Sequence, residues 1–192
     1  IGSFHADHVI RDTRGFRRAV EQAVAVARTG AIAAIGITPT SPATGFGYIH
    51  CADPISIDGA PSAVGVSSFV EKPDLATARR YVADGDYLWN AGMFIAKASV
   101  ILEWIRRSDA ALADGLIELG SVWDDPALRG PAVDRIWPRL KKIAIDYAVA
   151  EPAAAAGALV VAPGDFDWDD GGDFASIAKV HSGGRKSDLA SL

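Results

Sequence analysis

Ala31-Ile32-Ala33-Ala34-Ile35-Gly36-Ile37 is the segment that most limits the fold: seven residues without a charged or polar side chain, closed in by Gly30 and by Thr38-Pro39. A short, unbroken apolar run between turn residues suits a strand covered on both faces, because a strand with one wet face would alternate. The preceding stretch has another period. Phe16, Ala19, Val20, Ala23, Val24 and Ala27 recur at three- and four-residue steps through 14–28, which predicts an amphipathic helix that Gly30 ends. Helix, tight turn and doubly covered strand together specify an α/β fold.

The rest of the chain fits that frame. Residues 38–48 hold too many Pro, Gly and hydroxyl residues for regular structure, so they form a loop. Segments 48–57 and 63–70 flank Asp58-Gly59, a hairpin signal. Asp74, after Pro73, caps a helix carrying Leu75, Ala78, Tyr81 and Val82. Strands are predicted at Tyr87–Ala96 and Leu159–Ala162, and helices at Ser99–Arg107 and Phe174–Val180. A helical region from 109 to about 151 is expected to break near Pro126 and Pro131. One domain over 1–180 with a polar tail at 181–192 accounts for the pattern.

Composition removes several classes of function. With 49% hydrophobic residues and 22% charged, the chain can bury a core and is no disordered segment. Cys51, the single cysteine, excludes a disulfide scaffold and a Cys-based zinc site, and points to a reducing, cytoplasmic setting. No run approaches the ~18 apolar residues of a membrane span. A net charge of −5 without a basic block argues against nucleic acid as partner. No Gly-x-Ser-x-Gly marks a serine nucleophile.

Five segments place polar residues where a core would not want them. His5-Ala6-Asp7-His8 sets a carboxylate between two imidazoles, a metal-binding combination that is otherwise a solvated loop. Thr44-Gly45-Phe46-Gly47-Tyr48 lets backbone approach a ligand, yet lacks the Lys of a P-loop. Glu71-Lys72-Pro73 closes a strand with an acceptor for sugar hydroxyls and a cation for phosphate, or simply with a surface ion pair. Asn90, inside Trp89-Asn90-Ala91-Gly92-Met93-Phe94, must be hydrogen-bonded, by backbone or by a hydroxylated ligand. Finally, Asp167, Asp169, Asp170 and Asp173 crowd four carboxylates into seven residues, a repulsion that a hard divalent cation would relieve.

Taken in order, the blocks HADHVI, TGFGYI, FVEKP, WNAGMF, IDYAVAE and FDWDDGGDF resemble those of the sugar-1-phosphate nucleotidyltransferases, and within them the bacterial mannose-1-phosphate guanylyltransferases. The resemblance runs from about Gly2 to Lys179. It implies a Rossmann-like fold, a mixed and mostly parallel sheet flanked by helices. It also implies Mg²⁺ on Asp7 and Asp170, with Asp169 as the alternative to the latter. Lys72 would take the sugar phosphate, and Glu71, Asn90, Gly92, Gly47 and Asp146 would surround the sugar. Ala91 stands where the family has a small hydroxyl residue, and Asp169 where it commonly has Ser.

The implied reaction transfers a nucleotidyl group from GTP to mannose 1-phosphate, giving GDP-mannose and pyrophosphate, with Lys72, Asp7 and Asp170 as the catalytic groups. A homodimer is compatible with it. The family's Gly-rich triphosphate loop is not found in these blocks, and the chain opens Ile1-Gly2-Ser3-Phe4 without Met. It is therefore expected to be the central and C-terminal part of a catalytic domain, incomplete at its N-terminus and inactive alone. Two alternatives stand beside this one: a glucose-1-phosphate enzyme using UTP or dTTP, and a non-catalytic subunit that binds nucleotide sugar.

Overall fold

The computed structural model describes residues 1–171. Its elements in chain order are β1 (Gly2–Ser3), β2 (Val9–Ile10), α1 (Thr13–Thr29), β3 (Ile32–Ile37), β4 (Tyr48–Pro54), β5 (Val64–Val70), α2 (Leu75–Asp84), β6 (Tyr87–Ile95), α3 (Ala98–Ser108), α4 (Ala110–Ser121) and α5 (Pro126–Ile136). A 3₁₀ turn (Trp137–Arg139), a π-helix (Asp146–Ala150), α6 (Glu151–Ala155), β7 (Leu159–Pro163) and β8 (Trp168–Asp169) complete them.

The constraining segment becomes β3, and it lies inside a six-stranded sheet of order β1-β6-β3-β7-β5-β4. Its side chains alternate between two cores. Ile32 and Ala34 join Phe94, Leu159, Val161, Trp104 and Val149 on the face covered by α3, the π-helix and α6. Ala33 and Ile35 join Met93, Ile95, Val160 and Ala162 on the face covered by Ala19, Ala23 and Val26 of α1. Residues 32–35 are 0% exposed, as a strand sealed by two helical layers must be.

Helix ends follow local chemistry. Asp12 accepts from the amides of Arg14 and Gly15, both at 3.0 Å, and opens α1. Gly30 closes it at φ +99°, a left-handed position that suits glycine. Asp74 accepts from Thr77 N at 2.7 Å and opens α2.

Two expectations need correction. The sheet is mixed, but among the described residues β3–β7 is its parallel pairing, whereas β1–β6, β3–β6, β4–β5, β4–β6 and β5–β7 are antiparallel. The 48–70 region folds back as a hairpin, and β6 then enters against both β3 and β4, so parallel neighbours are the minority. Nor does Pro131 break the chain. It sits inside α5. The break expected near Pro126 is present, at residues 122–125 between α4 and α5, with Pro126 as the helix start, and a further interruption falls at 140–144. The predicted helix 174–180 and the polar tail lie outside the described residues.

Candidate active site

Register alone assembles the first half of the site. Tyr48 lies opposite Val70 of β5 on one side and Trp89 of β6 on the other. One step further along each strand brings Gly47, Glu71 and Asn90 into a row, and Asn90 N donates to Gly47 O at 2.8 Å. Glu71 folds back over the glycine so closely that a Cβ on Gly47 would lie 2.5 Å from Glu71 Oε2. That oxygen is buried and without a hydrogen-bond partner, and Oε1 is 3.5 Å from Lys72 Nζ.

The first residue of the π-helix completes the row. Asn90 Nδ2 donates to Asp146 Oδ1 at 3.0 Å, and Asn90 Oδ1 accepts from Gly92 N at 3.1 Å. Asn90 is thus the buried polar residue that its strand tolerates, at 7% exposure, because its amide is bonded on both sides. Burial raises the Glu71 pKa, Asp146 pushes it further, and Lys72 opposes them.

Two backbone irregularities shape this patch. Ala34 faces Phe94 and Gly36 faces Asn90, so three residues of β6 (91–93) oppose the single Ile35. Gly92, at φ +67°, makes this bulge, and bulges gather beside active sites because they re-aim side chains. Lys72 holds φ +48°, a left-handed conformation that costs a residue with a Cβ about 1–2 kcal/mol.

The second half lies where β2 pairs with β8, Val9 opposite Asp169 and Ile10 opposite Trp168. This ladder carries the segment 5–8 alongside 169–171: a Cβ on Gly171 would lie 3.2 Å from the Asp7 carbonyl oxygen. His8 feels the charge of both Asp7 and Asp170, which oppose the lowering of its pKa by burial and by His5. Asp169 Oδ1 is engaged by Gly171 N at 2.9 Å. Asp7 and Asp170 thus stand on two adjacent segments, and oxygen donors of this type are what a hard divalent cation would take.

His5 joins the halves. A Cβ on Gly92 would stand 2.6 Å from His5 Nε2, and the His5 ring stacks on His8 at 4.5 Å between centroids. Trp168 Nε1 donates to His8 Nδ1 at 3.1 Å, and Phe46 packs between Trp168 and Trp89. The structure therefore brings Asp7, Gly47, Glu71, Lys72, Asn90, Gly92, Asp146, Asp169 and Asp170 to one continuous patch. Sequence reasoning offered His5 and His8 only as imidazoles of a candidate metal-binding segment, and did not assign Phe46 or Trp168 to the site. The two imidazoles flank Asp7 in the chain, but stacking across a loop leaves no periodic trace.

A family model described as nucleotidyl transferase matches residues 2–186. The chain belongs to that family. Among its relatives, xanthan biosynthesis protein XanB from Xanthomonas campestris pv. campestris (strain B100) is 42% identical over 183 residues, covering 91% of this chain and 36% of that protein. Mannose-1-phosphate guanylyltransferase from Escherichia coli (strain K12) is 38% identical over 176 residues, with the same coverage of each. A solved mannose-1-phosphate geranyltransferase from Thermus thermophilus superposes with a TM-score of 0.78 at 30% identity, over 94% of this chain and 49% of that one. Mannose-6-phosphate isomerase from Helicobacter pylori shares the fold, with a TM-score of 0.69 at 20% identity, over 88% of this chain and 63% of that one. The chain spans about a third of the length of the curated relatives it matches, 36% of each of the two named here.

Proposed function

We propose that this nucleotidyl transferase chain forms the sugar-phosphate and cation side of a mannose-1-phosphate guanylyltransferase, which joins GTP and mannose 1-phosphate into GDP-mannose and pyrophosphate. The observation that carries the reading is the Gly47–Glu71–Asn90–Asp146 row, with a buried, unpartnered carboxylate oxygen beside a cation. A polyhydroxylated phosphate ester answers both needs: its hydroxyls donate to Glu71 Oε2, and its phosphate takes Lys72. The relatives named for mannose 1-phosphate support this choice of sugar.

The attacking phosphate oxygen is already anionic, so no strong base is required. What the residues must do is hold two polyanions together and in line. Lys72 orients the sugar phosphate, while Asn90, locked by Asp146 and Gly92 N, fixes the rim of the sugar pocket. Asp7 and Asp170 would hold Mg²⁺, which when bound neutralises charge developing on the transferred phosphoryl group.

Calorimetric titration tests the reading. The chain with Mg²⁺ should bind mannose 1-phosphate in preference to glucose 1-phosphate, and Glu71→Gln and Lys72→Ala should each weaken that binding. In the whole protein that carries this chain, pyrophosphate should be released from GTP rather than UTP or dTTP. Preference for glucose 1-phosphate with UTP or dTTP would replace the proposal with the related glucose enzyme. Binding of nucleotide sugar without any turnover would replace it with a regulatory subunit.

A further inference from the structure

Residues 5–8 carry two imidazoles beside the Asp7 carboxylate, and donors of all three converge. One nitrogen of His5, one of His8 and one Asp7 carboxylate oxygen lie within 4.8 Å of one another. We infer that His5 and His8 coordinate together with Asp7, so that the site takes a borderline transition ion (Mn²⁺, Co²⁺ or Ni²⁺) in preference to Mg²⁺. The inference rests on the reading of Asp7 as a cation ligand, and deepens it by naming two nitrogen donors and a class of ion.

Three ligands around one ion at bond lengths of about 2.0–2.2 Å stand roughly 3–3.5 Å apart, so small rotations of these side chains close the site. The rings are already stacked, 28° from parallel, which sets both imidazoles beside the same carboxylate. Gly92 leaves the space His5 occupies, since any Cβ there would collide with its Nε2. Trp168 Nε1 donates to His8 Nδ1, which leaves the His8 proton on Nε2, so His8 ligates through Nδ1 by exchanging this bond for the ion. Asp170 adds negative charge from the facing segment. Mg²⁺ prefers oxygen ligands and keeps its waters, whereas imidazole suits the later first-row ions, whose affinity climbs from Mn²⁺ through Co²⁺ to Ni²⁺.

The test is calorimetric titration of the 192-residue chain with MgCl₂, MnCl₂, CoCl₂ and NiCl₂, repeated on His5→Ala, His8→Ala and Asp7→Asn. The inference expects one ion per chain and affinity rising in the order Mg²⁺, Mn²⁺, Co²⁺, Ni²⁺. Removing either imidazole should weaken Co²⁺ and Ni²⁺ about tenfold or more, while Mg²⁺ changes by less than about twofold. The visible bands of bound Co²⁺ should fall in the same variants and stay unchanged in His50→Ala. Circular dichroism identifies any variant that has lost its fold, and His5→Asn, His8→Asn or Asp7→Ala then takes the place of the corresponding variant. Wild-type Co²⁺ affinity in both histidine variants, with binding lost only in Asp7→Asn, would overturn the inference and leave the Asp7 cation site standing. Unchanged binding of every ion in Asp7→Asn would bring down both.

Discussion

Gly47→Ala probes the tightest point of the site with a single methyl group. Gly47 is not in the left-handed region, so alanine meets no backbone strain there and the effect is one of space. The new Cβ would lie 2.5 Å from Glu71 Oε2, 3.1 Å from Phe69 Cζ and 3.3 Å from Asn90 Cβ. The Glu71 side chain is only 11% exposed, and Phe69 belongs to the core, so neither withdraws freely. Overpacking of this kind costs about 1–3 kcal/mol. In a domain of this size each kcal/mol moves Tm by roughly 2–4 °C, which predicts a loss of about 2–12 °C. The cause is separable. Glu71→Ala removes the nearest contact but leaves Phe69 and Asn90, so it should return part of the loss, a coupling of about 0.5–3 kcal/mol in a double-mutant cycle. Urea denaturation of the four proteins measures it. A Gly47→Ala protein as stable as wild type, or a loss untouched by Glu71→Ala, would refute the claim that the carboxylate is packed against this backbone.

Lys72→Ala should weaken mannose 1-phosphate by about 1.5–3 kcal/mol, the worth of one charge-assisted contact, and titration calorimetry showing wild-type affinity would reduce Lys72 to a surface cation. Asp146→Ala leaves Asn90 Nδ2 buried without its partner and should cost about 1–3 kcal/mol in urea denaturation. Glu71 has a raised pKa in the fold, so the folded state binds its proton more tightly than the unfolded chain does. Its contribution therefore declines as pH rises from the ordinary carboxylate range through the raised value. Tm measured against pH should show Glu71→Gln gaining on wild type over that window and level with it below; parallel curves would contradict the burial of this carboxylate.

The legible parts of the fold were those written in periodicity. The unbroken apolar run of 31–37 and the apolar stripe of 14–28 depend on which faces are wet, and the chain states that directly. Caps were equally legible at Asp74 and Gly30, since both act within one turn of their own position. Strand direction was not: whether β6 runs with or against β3 depends on how long connections route, which no local pattern records. The site divides the same way. Glu71, Lys72, Asn90 and Asp7 stood out because charge or amide chemistry interrupts apolar sequence. The bulge at 91–93 shows only as a glycine in a strand, and the left-handed Lys72 only as a residue before proline, whose usual preference is extended.

These irregularities share one location, and that carries an energetic argument. Lys72 in the left-handed region costs about 1–2 kcal/mol, and a buried polar atom without a partner costs about 1–3 kcal/mol. Glu71 Oε2 is such an atom, and it lies against the row formed by Gly47 and Asn90. Domains of this kind are stable by only about 5–15 kcal/mol in total, so backbone strain and an unsatisfied polar atom gathered at one point are a sizeable fraction. A core would replace them with apolar side chains. A binding site keeps them, because a ligand that donates to Glu71 and takes Lys72 recovers in the complex what the free protein lacks. Saturating mannose 1-phosphate at about a hundred times its Kd should then raise stability by about 2.7 kcal/mol. In Glu71→Gln the carboxylate is replaced by an amide, which is less in need of a donor, so the gain on adding ligand should shrink even though the free protein is more stable.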